Sequence, residues 1–354
     1  MMTDLNLRRF RHSRSRSRAA SGYLLIVLSL AILSPQSVLA SDPSDGTVPS
    51  AGSSAILWNK VDVSSRNLFY GPGGKDHEPH GKMTFSEEDK SGSNPKFDVV
   101  DQDGTKWKVK MAVEARPETA ASRLLWAIGF FSNEDYFVHE LKVDGVPAQL
   151  LRGREKIDRD GTMRDVRLKR YLDNEKKIGS WHWKKNPFAG SREFDGLRVM
   201  MALLNNWDLK DVNNGIMETK SQTSPHQIYL VSDLGATFGT PGRSLTQKKS
   251  KGNLEQYRRS KFISKVTDEQ VDFNVPGRPS FIFVFGLPTY ISRVKMGWIG
   301  KNIPRSHAKW VGEELSKLSH EQIRDAFRSA GYTPEEVEGF AQVVETRIGE
   351  LKKL

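Results

Sequence analysis

Cysteine is absent from the 354 residues. This excludes disulfides, a cysteine-anchored lipoprotein and thiolate metal sites, and it suits a bacterial envelope protein better than a small disulfide-stapled domain. Glycine-rich phosphate signatures are also missing. There is no GxGxxG and no Walker pattern, so Gly71-Pro-Gly-Gly-Lys75 is expected to be a plain tight turn. No internal repeat is evident. The longest apolar run, Tyr23 to Leu33, has eleven residues, too few for a bilayer core of about 30 Å. It follows Arg8, Arg9, Arg11, Arg14, Arg16 and Arg18 and precedes Val38-Leu39-Ala40, the three-part pattern of a secretory signal peptide. Residues 1–40 are set aside on that ground, and no transmembrane helix is expected in the mature chain. The expected location is secreted or periplasmic, with an uncleaved N-terminal anchor holding the body outside the cytoplasm as runner-up.

The leader carries six Arg and one Asp, so its removal lowers the formal charge from +11 to +6. A chain this moderately basic gives no reason to expect nucleic acid as a partner. Apolar residues at 37% and aromatics at 9% are enough for a packed core. Residues 41–81 read as a Ser/Gly/Pro-rich linker and an N-terminal extension. His77 and His80 flank a proline there, which argues for exposed loop histidines and against a metal pair.

From residue 82 the pattern turns to strands. Met83-Thr-Phe85, Lys96-Phe-Asp-Val-Val100 and Thr105-Lys-Trp-Lys-Val-Lys-Met111 are separated by polar turns, the second being Asp101-Gln-Asp-Gly104, a hairpin signal. Lys106, Lys108 and Lys110 share one face of the third strand, which is the look of a solvated edge. A helix follows, with Pro117 expected at its first position and Gly129 behind it. Residues 151–186 are charged and read as irregular. Trp181 and Trp183 beside His182 are read as packing in preference to base stacking.

The stretch that organises the chain is Asn205-Asn-Trp-Asp208-Leu-Lys210-Asp-Val-Asn213-Asn214, with Asp233-Leu-Gly235 nineteen residues further on. Before it, Ser191 to Asn206 has apolar residues at three- and four-residue steps, an amphipathic helix. After it, Gln227 to Ser232 is a short β-branched and aromatic run, a strand. A loop with Asp208, Lys210 and Asn213 thus joins a helix to a strand that delivers Asp233. Carboxylate and amide oxygens are what a hard divalent cation takes as ligands, although Asp and Asn also cap plain turns. The tail is helical, with capping boxes at Ser319–Gln322 and Thr333–Glu336.

At these residues the chain resembles the protein-kinase superfamily. Asp208-Leu-Lys-Asp-Val-Asn213 is similar to the Asp-Leu-x-x-x-x-Asn catalytic loop with its Lys, and Asp233-Leu-Gly235 is similar to Asp-Phe-Gly. Glu118-x-Ala-Ala-x-x-Leu after a Lys-bearing strand looks like the atypical branch: the secreted Golgi casein kinases and the phosphatidylinositol-kinase and HipA-type relatives. The resemblance implies an α+β, two-lobed fold, with a small antiparallel β lobe and one helix at about 82–150. A larger, mainly helical lobe is expected within 151–354.

The resemblance further implies ATP with Mg²⁺ or Mn²⁺. Asp208 would take the proton of an acceptor hydroxyl, Lys210 would neutralise charge at the moving phosphoryl, and Asn213 and Asp233 would bind metal. Lys110, with Lys108 as second choice, would meet the nucleotide phosphates, held by Glu118, for which Glu114 is the competitor. The absence of an Ala-Pro-Glu motif puts a peptide substrate in doubt. The basic stretch 248–265 is suited to an acidic protein or an anionic lipid headgroup. Two alternatives stand beside the phosphotransferase: a catalytically silent envelope scaffold, and a nucleotidyl transferase using the same pocket.

Overall fold

The computed structural model describes residues 54–92, 94–219, 226–241, 250–275 and 296–354. Strand β1 (Ser54–Ile56) comes first and pairs in parallel with a strand of the second lobe. The meander then forms as expected: β2 (Met83–Glu88), β3 (Lys96–Asp101) and β4 (Lys106–Lys110) are antiparallel neighbours. At the second turn, the Asp101 carboxylate accepts from the N–H groups of Asp103 and Thr105 at 3.0 and 2.9 Å, the local bonding that makes Asp a turn residue. Its other oxygen accepts from Trp107 Nε1 at 2.8 Å. This ties the turn to the core.

Helix α1 (Ala115–Ala127) begins two residues earlier than Pro117, which the first turn tolerates because its N–H has no partner to lose. Gly129 ends it at φ +97, where a Cβ would lie 2.0 Å from the Asn59 carbonyl oxygen. β5 (Asp135–Asp144) and β6 (Thr162–Arg170) follow. They correct two expectations. β6 lies in the stretch expected to be irregular, yet it pairs with both β4 and β5 and closes a barrel in the order β2-β3-β4-β6-β5. β4 is therefore no edge strand. The single parallel pair, β2 with β5, completes an otherwise antiparallel barrel. Phe97, Val99, Trp107, Val109, Val166 and Leu168 fill its interior.

The second lobe contains β7 (Glu175–Gly179), α2 (Arg192–Leu203), β8 (Asn214–Thr219) and β9 (His226–Val231). The order β1-β9-β8-β7 makes a four-stranded sheet. Beyond it come α3 (Leu254–Arg259), a small sheet of β10 (Ile263–Val266), β11 (Gln270–Phe273) and β12 (Ile303–Pro304), then α4 (Arg305–Leu315), α5 (His320–Arg328) and α6 (Pro334–Lys352). Both expected capping boxes are present, at α5 and α6. No described helix is long and apolar enough to cross a membrane.

The chain thus has the two-lobed α+β layout that the resemblance implies. Its apolar interior forms two clusters, one inside the barrel and a larger one in the helical lobe. Helix α1 carries Ala120, Ala121, Leu124, Leu125 and Ala127 into the larger cluster and packs on α5. The helix that bears Glu118 is therefore fixed from the helical lobe while it touches the barrel.

Candidate active site

A cleft of about 1540 Å³ lies between the barrel and the second lobe, and all seven candidate residues line it: Lys108, Lys110, Glu118, Asp208, Lys210, Asn213 and Asp233. Its floor follows from the helix–loop–strand frame. Ser191 caps α2 by accepting from Phe194 N–H at 3.1 Å. Just past the end of the helix, Asn205 at a φ of +52 turns the chain sharply. Asn206 Oδ1 then accepts from the Asp208 N–H at 3.0 Å, and Asn213 Nδ2 donates to the Asp208 carbonyl at 2.6 Å. The Asn213 carbonyl in turn accepts from the N–H groups of Ser232 and Asp233, at 2.8 and 3.2 Å. The loop and the Asp-Leu-Gly segment are stitched together through backbone, which brings Asn213 beside Asp233.

Lys210 Nζ lies 2.9 Å from Asp208 Oδ1. Asp211 faces the other way: its carboxylate accepts from Trp183 N–H at 3.0 Å and pairs with His182 Nδ1 at 2.9 Å. That anchor was not legible beforehand. Trp181 and Trp183 meet edge to face at 4.7 Å between centroids and belong to the core, as the packing reading expected. A second unanticipated strut is Arg347 of α6. Buried under the loop, it donates to the Leu203 carbonyl at 2.7 Å and to Asn205 Oδ1 at 3.0 Å.

The roof is a charge cluster. Lys110 Nζ lies 2.7 Å from Glu114, 2.8 Å from Glu118 and 3.1 Å from Asp233. Burial opposes its charge, but Glu118, Asp233 and Glu114 together raise its pKa well above the ordinary lysine range. Burial also works against the charge of Asp233, yet Lys110 and the Gly235 N–H hold that carboxyl down at about 2. Of the two competing acids, both reach Lys110. Glu118 is backed by Arg167 at 3.4 Å, which also grips Asp135 at 2.8 Å. Glu114 is backed by Lys251. Gly235 explains its own identity here, since a Cβ on it would come within 2.7 Å of Glu114 Cβ.

Lys108 is held apart from this cluster. It pairs with Asp89 and, at 3.0 Å, with Asp98. Lys110 is accordingly the lysine that joins Glu118 to Asp233. Of the basic 248–265 stretch, Lys248 and Lys249 lie outside the described residues; Arg258 and Arg259 pair with Glu255, and Lys251 is taken by Glu114. His77 pairs with Glu134 and His80 with Asp103, in keeping with loop histidines.

For a divalent cation, two sets of ligands are conceivable. Oxygens of Glu114, Glu118 and Asp233 lie within 4.8 Å of one another, but the Lys110 ammonium sits among them. Asn213 and Asp233 fit better. Among the described residues nothing donates to Asn213 Oδ1, and two hard oxygens from adjacent backbone are the few protein ligands that Mg²⁺ or Mn²⁺ needs beside phosphate and water.

No family model matches the chain, and no curated protein does either. Solved structures that overlap it include kinases. The Helicobacter pylori proinflammatory kinase CtkA overlaps at TM-score 0.41 and 10% identity, over 76% of this chain and 96% of that one. A Golgi casein kinase overlaps at 0.29 and 11%, over 75% and 74%. The Rio2 kinase of Chaetomium thermophilum, in an ADP/Mg²⁺-phosphoaspartate complex, overlaps at 0.28 and 12%, over 75% and 72%. Overlaps this loose carry no weight of their own beside the geometry of the cleft.

Proposed function

We propose that the protein is an exported kinase-like phosphotransferase that moves a phosphoryl group from a nucleoside triphosphate, ATP by the resemblance, to a hydroxyl acceptor. One observation carries this reading. Lys110 spans Glu118 and Asp233 at 2.8 and 3.1 Å, across the cleft from the loop that presents Asp208 and Asn213. Phosphoryl transfer asks a protein chiefly for positioning and charge neutralisation, and these residues supply both.

Lys110, fixed by Glu118, presents a cation to the phosphates. Asn213 and Asp233 would hold Mg²⁺ or Mn²⁺, which when bound neutralises phosphate charge and orients the transferred group. Asp208 lies in reach of an acceptor hydroxyl entering along the loop. The hydroxyl oxygen forms the new bond to phosphorus, the bond to the diphosphate breaks, and the hydroxyl proton goes to the Asp208 carboxylate. Lys210 offsets the negative charge beside that carboxylate. In this reading residues 1–40 direct export, the barrel is the nucleotide lobe, and the acceptor is an anionic protein or lipid headgroup of the kind that the basic 248–265 stretch suits. The secreted Golgi type of the atypical branch is the relative that best suits an exported chain.

Thermal unfolding of the purified protein with ATP–Mn²⁺ tests the reading first. We expect stabilisation at millimolar nucleotide, abolished in Asp233→Ala. No shift in the wild-type protein would favour a silent scaffold. Product mass then separates phosphoryl from nucleotidyl transfer, because the added group is about 80 Da in one case and about 330 Da in the other, while both need the same metal-held triphosphate.

A further inference from the structure

Lys169 and Glu175 stand at the part of the cleft where the chain crosses between lobes, and the site chemistry above uses neither. In the β4–β6 register Lys110 faces Arg167, and two residues on, Lys108 faces Lys169. Two strand residues are about 7 Å, so Lys169 lies one such step beyond the charge cluster, toward the crossing at 171–174. Its amine is 5.6 Å from the Tyr171 ring centroid and has no hydrogen bond or ion pair among the described residues. Burial, with Arg167 and Lys108 as like-charged neighbours, pushes it down to about 8.

Glu175 opens β7 on the other side of the crossing. Its N–H donates to the Leu172 carbonyl at 3.0 Å, while its carboxylate has no partner among the described residues. Burial and Glu134 raise its pKa, and the Lys169 cation works the other way. Lys108 next door shows what a satisfied lysine in this row looks like: Asp89 and Asp98 both hold it. A half-buried cation and a half-buried carboxylate that line one cleft with no hydrogen-bond partner among the described residues are costly. A ligand presenting an acceptor beside a donor would satisfy both. Met217, Ile228 and Leu230 of the second lobe line the same cleft, an apolar surface for a planar ring.

We propose that Lys169 and Glu175 read the edge of a purine base, the Lys169 amine donating to a ring nitrogen or keto oxygen and the Glu175 carboxylate accepting from an amino or ring N–H. Both adenine and guanine present such donors beside such acceptors. The inference rests on the nucleotide reading of the cleft and adds side-chain selection of the base to it.

The test is calorimetric titration of the full chain with the Mn²⁺ complexes of non-hydrolysable ATP, non-hydrolysable GTP and inorganic tripolyphosphate, which has the phosphates and no base. The wild-type protein should bind at least one of the two nucleotides about 10-fold or more tighter than tripolyphosphate, on the scale of one charge-assisted hydrogen bond. Lys169→Met and Glu175→Gln should each remove most of that advantage and leave tripolyphosphate binding unchanged; which purine loses more identifies the base being read. Equal binding of tripolyphosphate and both nucleotides by the wild-type protein overturns the proposal and leaves the phosphate end standing. So does a Lys169→Met variant that weakens tripolyphosphate as much as nucleotide. Failure of all three ligands to bind overturns both this inference and the nucleotide reading.

Discussion

On the barrel side of the cleft the candidate residues are held by side-chain charge: Lys110 faces three carboxylates, and Arg167 and Lys251 back two of them. On the helical side Asp208 and Asn213 are held at their backbone atoms: the Asp208 N–H donates to Asn206 Oδ1, the Asp208 carbonyl accepts from Asn213 Nδ2, and the Asn213 carbonyl accepts from the N–H groups of Ser232 and Asp233. The difference has a consequence for how each half fails. A buried ion cluster loses its balance when one member is removed, because the others remain charged and out of water. A loop fixed through its backbone can lose a working side chain and keep its shape. Asp233 belongs to both halves, by its side chain to the cluster and by its N–H to the loop.

The comparison breaks most visibly at Lys110. Lys110→Met leaves Glu114, Glu118 and Asp233 facing one another, and a loss of about 3–5 kcal/mol is expected in urea unfolding; an unchanged midpoint would show that the cluster does not hold the lobe. Asp208→Asn should do the opposite. Its unfolding midpoint stays within about 0.5 kcal/mol of the wild type, while turnover falls about 10²–10⁴-fold.

Acid sharpens the role of Asp233. Its carboxyl is depressed to about 2, so its contribution is fully present above the unfolded value of about 3.9 and is lost as pH falls toward 2. Stability of wild type and Asp233→Asn, measured by urea unfolding from pH 6 downward, should therefore converge as pH falls from about 4 toward 2. The smallest effect lies outside the cleft. Ser191→Ala removes the cap of α2 and should cost about 1 kcal/mol without altering nucleotide affinity.

How much of this could be read from the sequence follows from where partners sit. Asp208, Lys210, Asn213 and Asp233 were legible because their spacing lies within one loop and one strand, and the structure brings all four to one cleft. Helices α5 and α6 were legible through their caps. β6 was hidden by its own chemistry: Asp165 at φ +53 interrupts the alternation, and Arg167 and Lys169 put charge on the face toward the cleft. Glu114 and Glu118 were inseparable in the sequence, lying one helical turn apart, and in the folded chain both touch Lys110. Arg347 gave no signal at all, since its partner Asn205 is 142 residues away.

The central claim is that Asp233 and Asn213 take one divalent ion opposite Lys110. Anomalous diffraction from crystals soaked with Mn²⁺ and ADP tests it directly. A single strong Mn²⁺ peak within about 2.0–2.3 Å of an Asp233 carboxylate oxygen and Asn213 Oδ1, with the diphosphate reaching toward Lys110, is the result expected. A peak held by Glu114 and Glu118 with Lys110 displaced, or nucleotide bound away from Asp233, would contradict it.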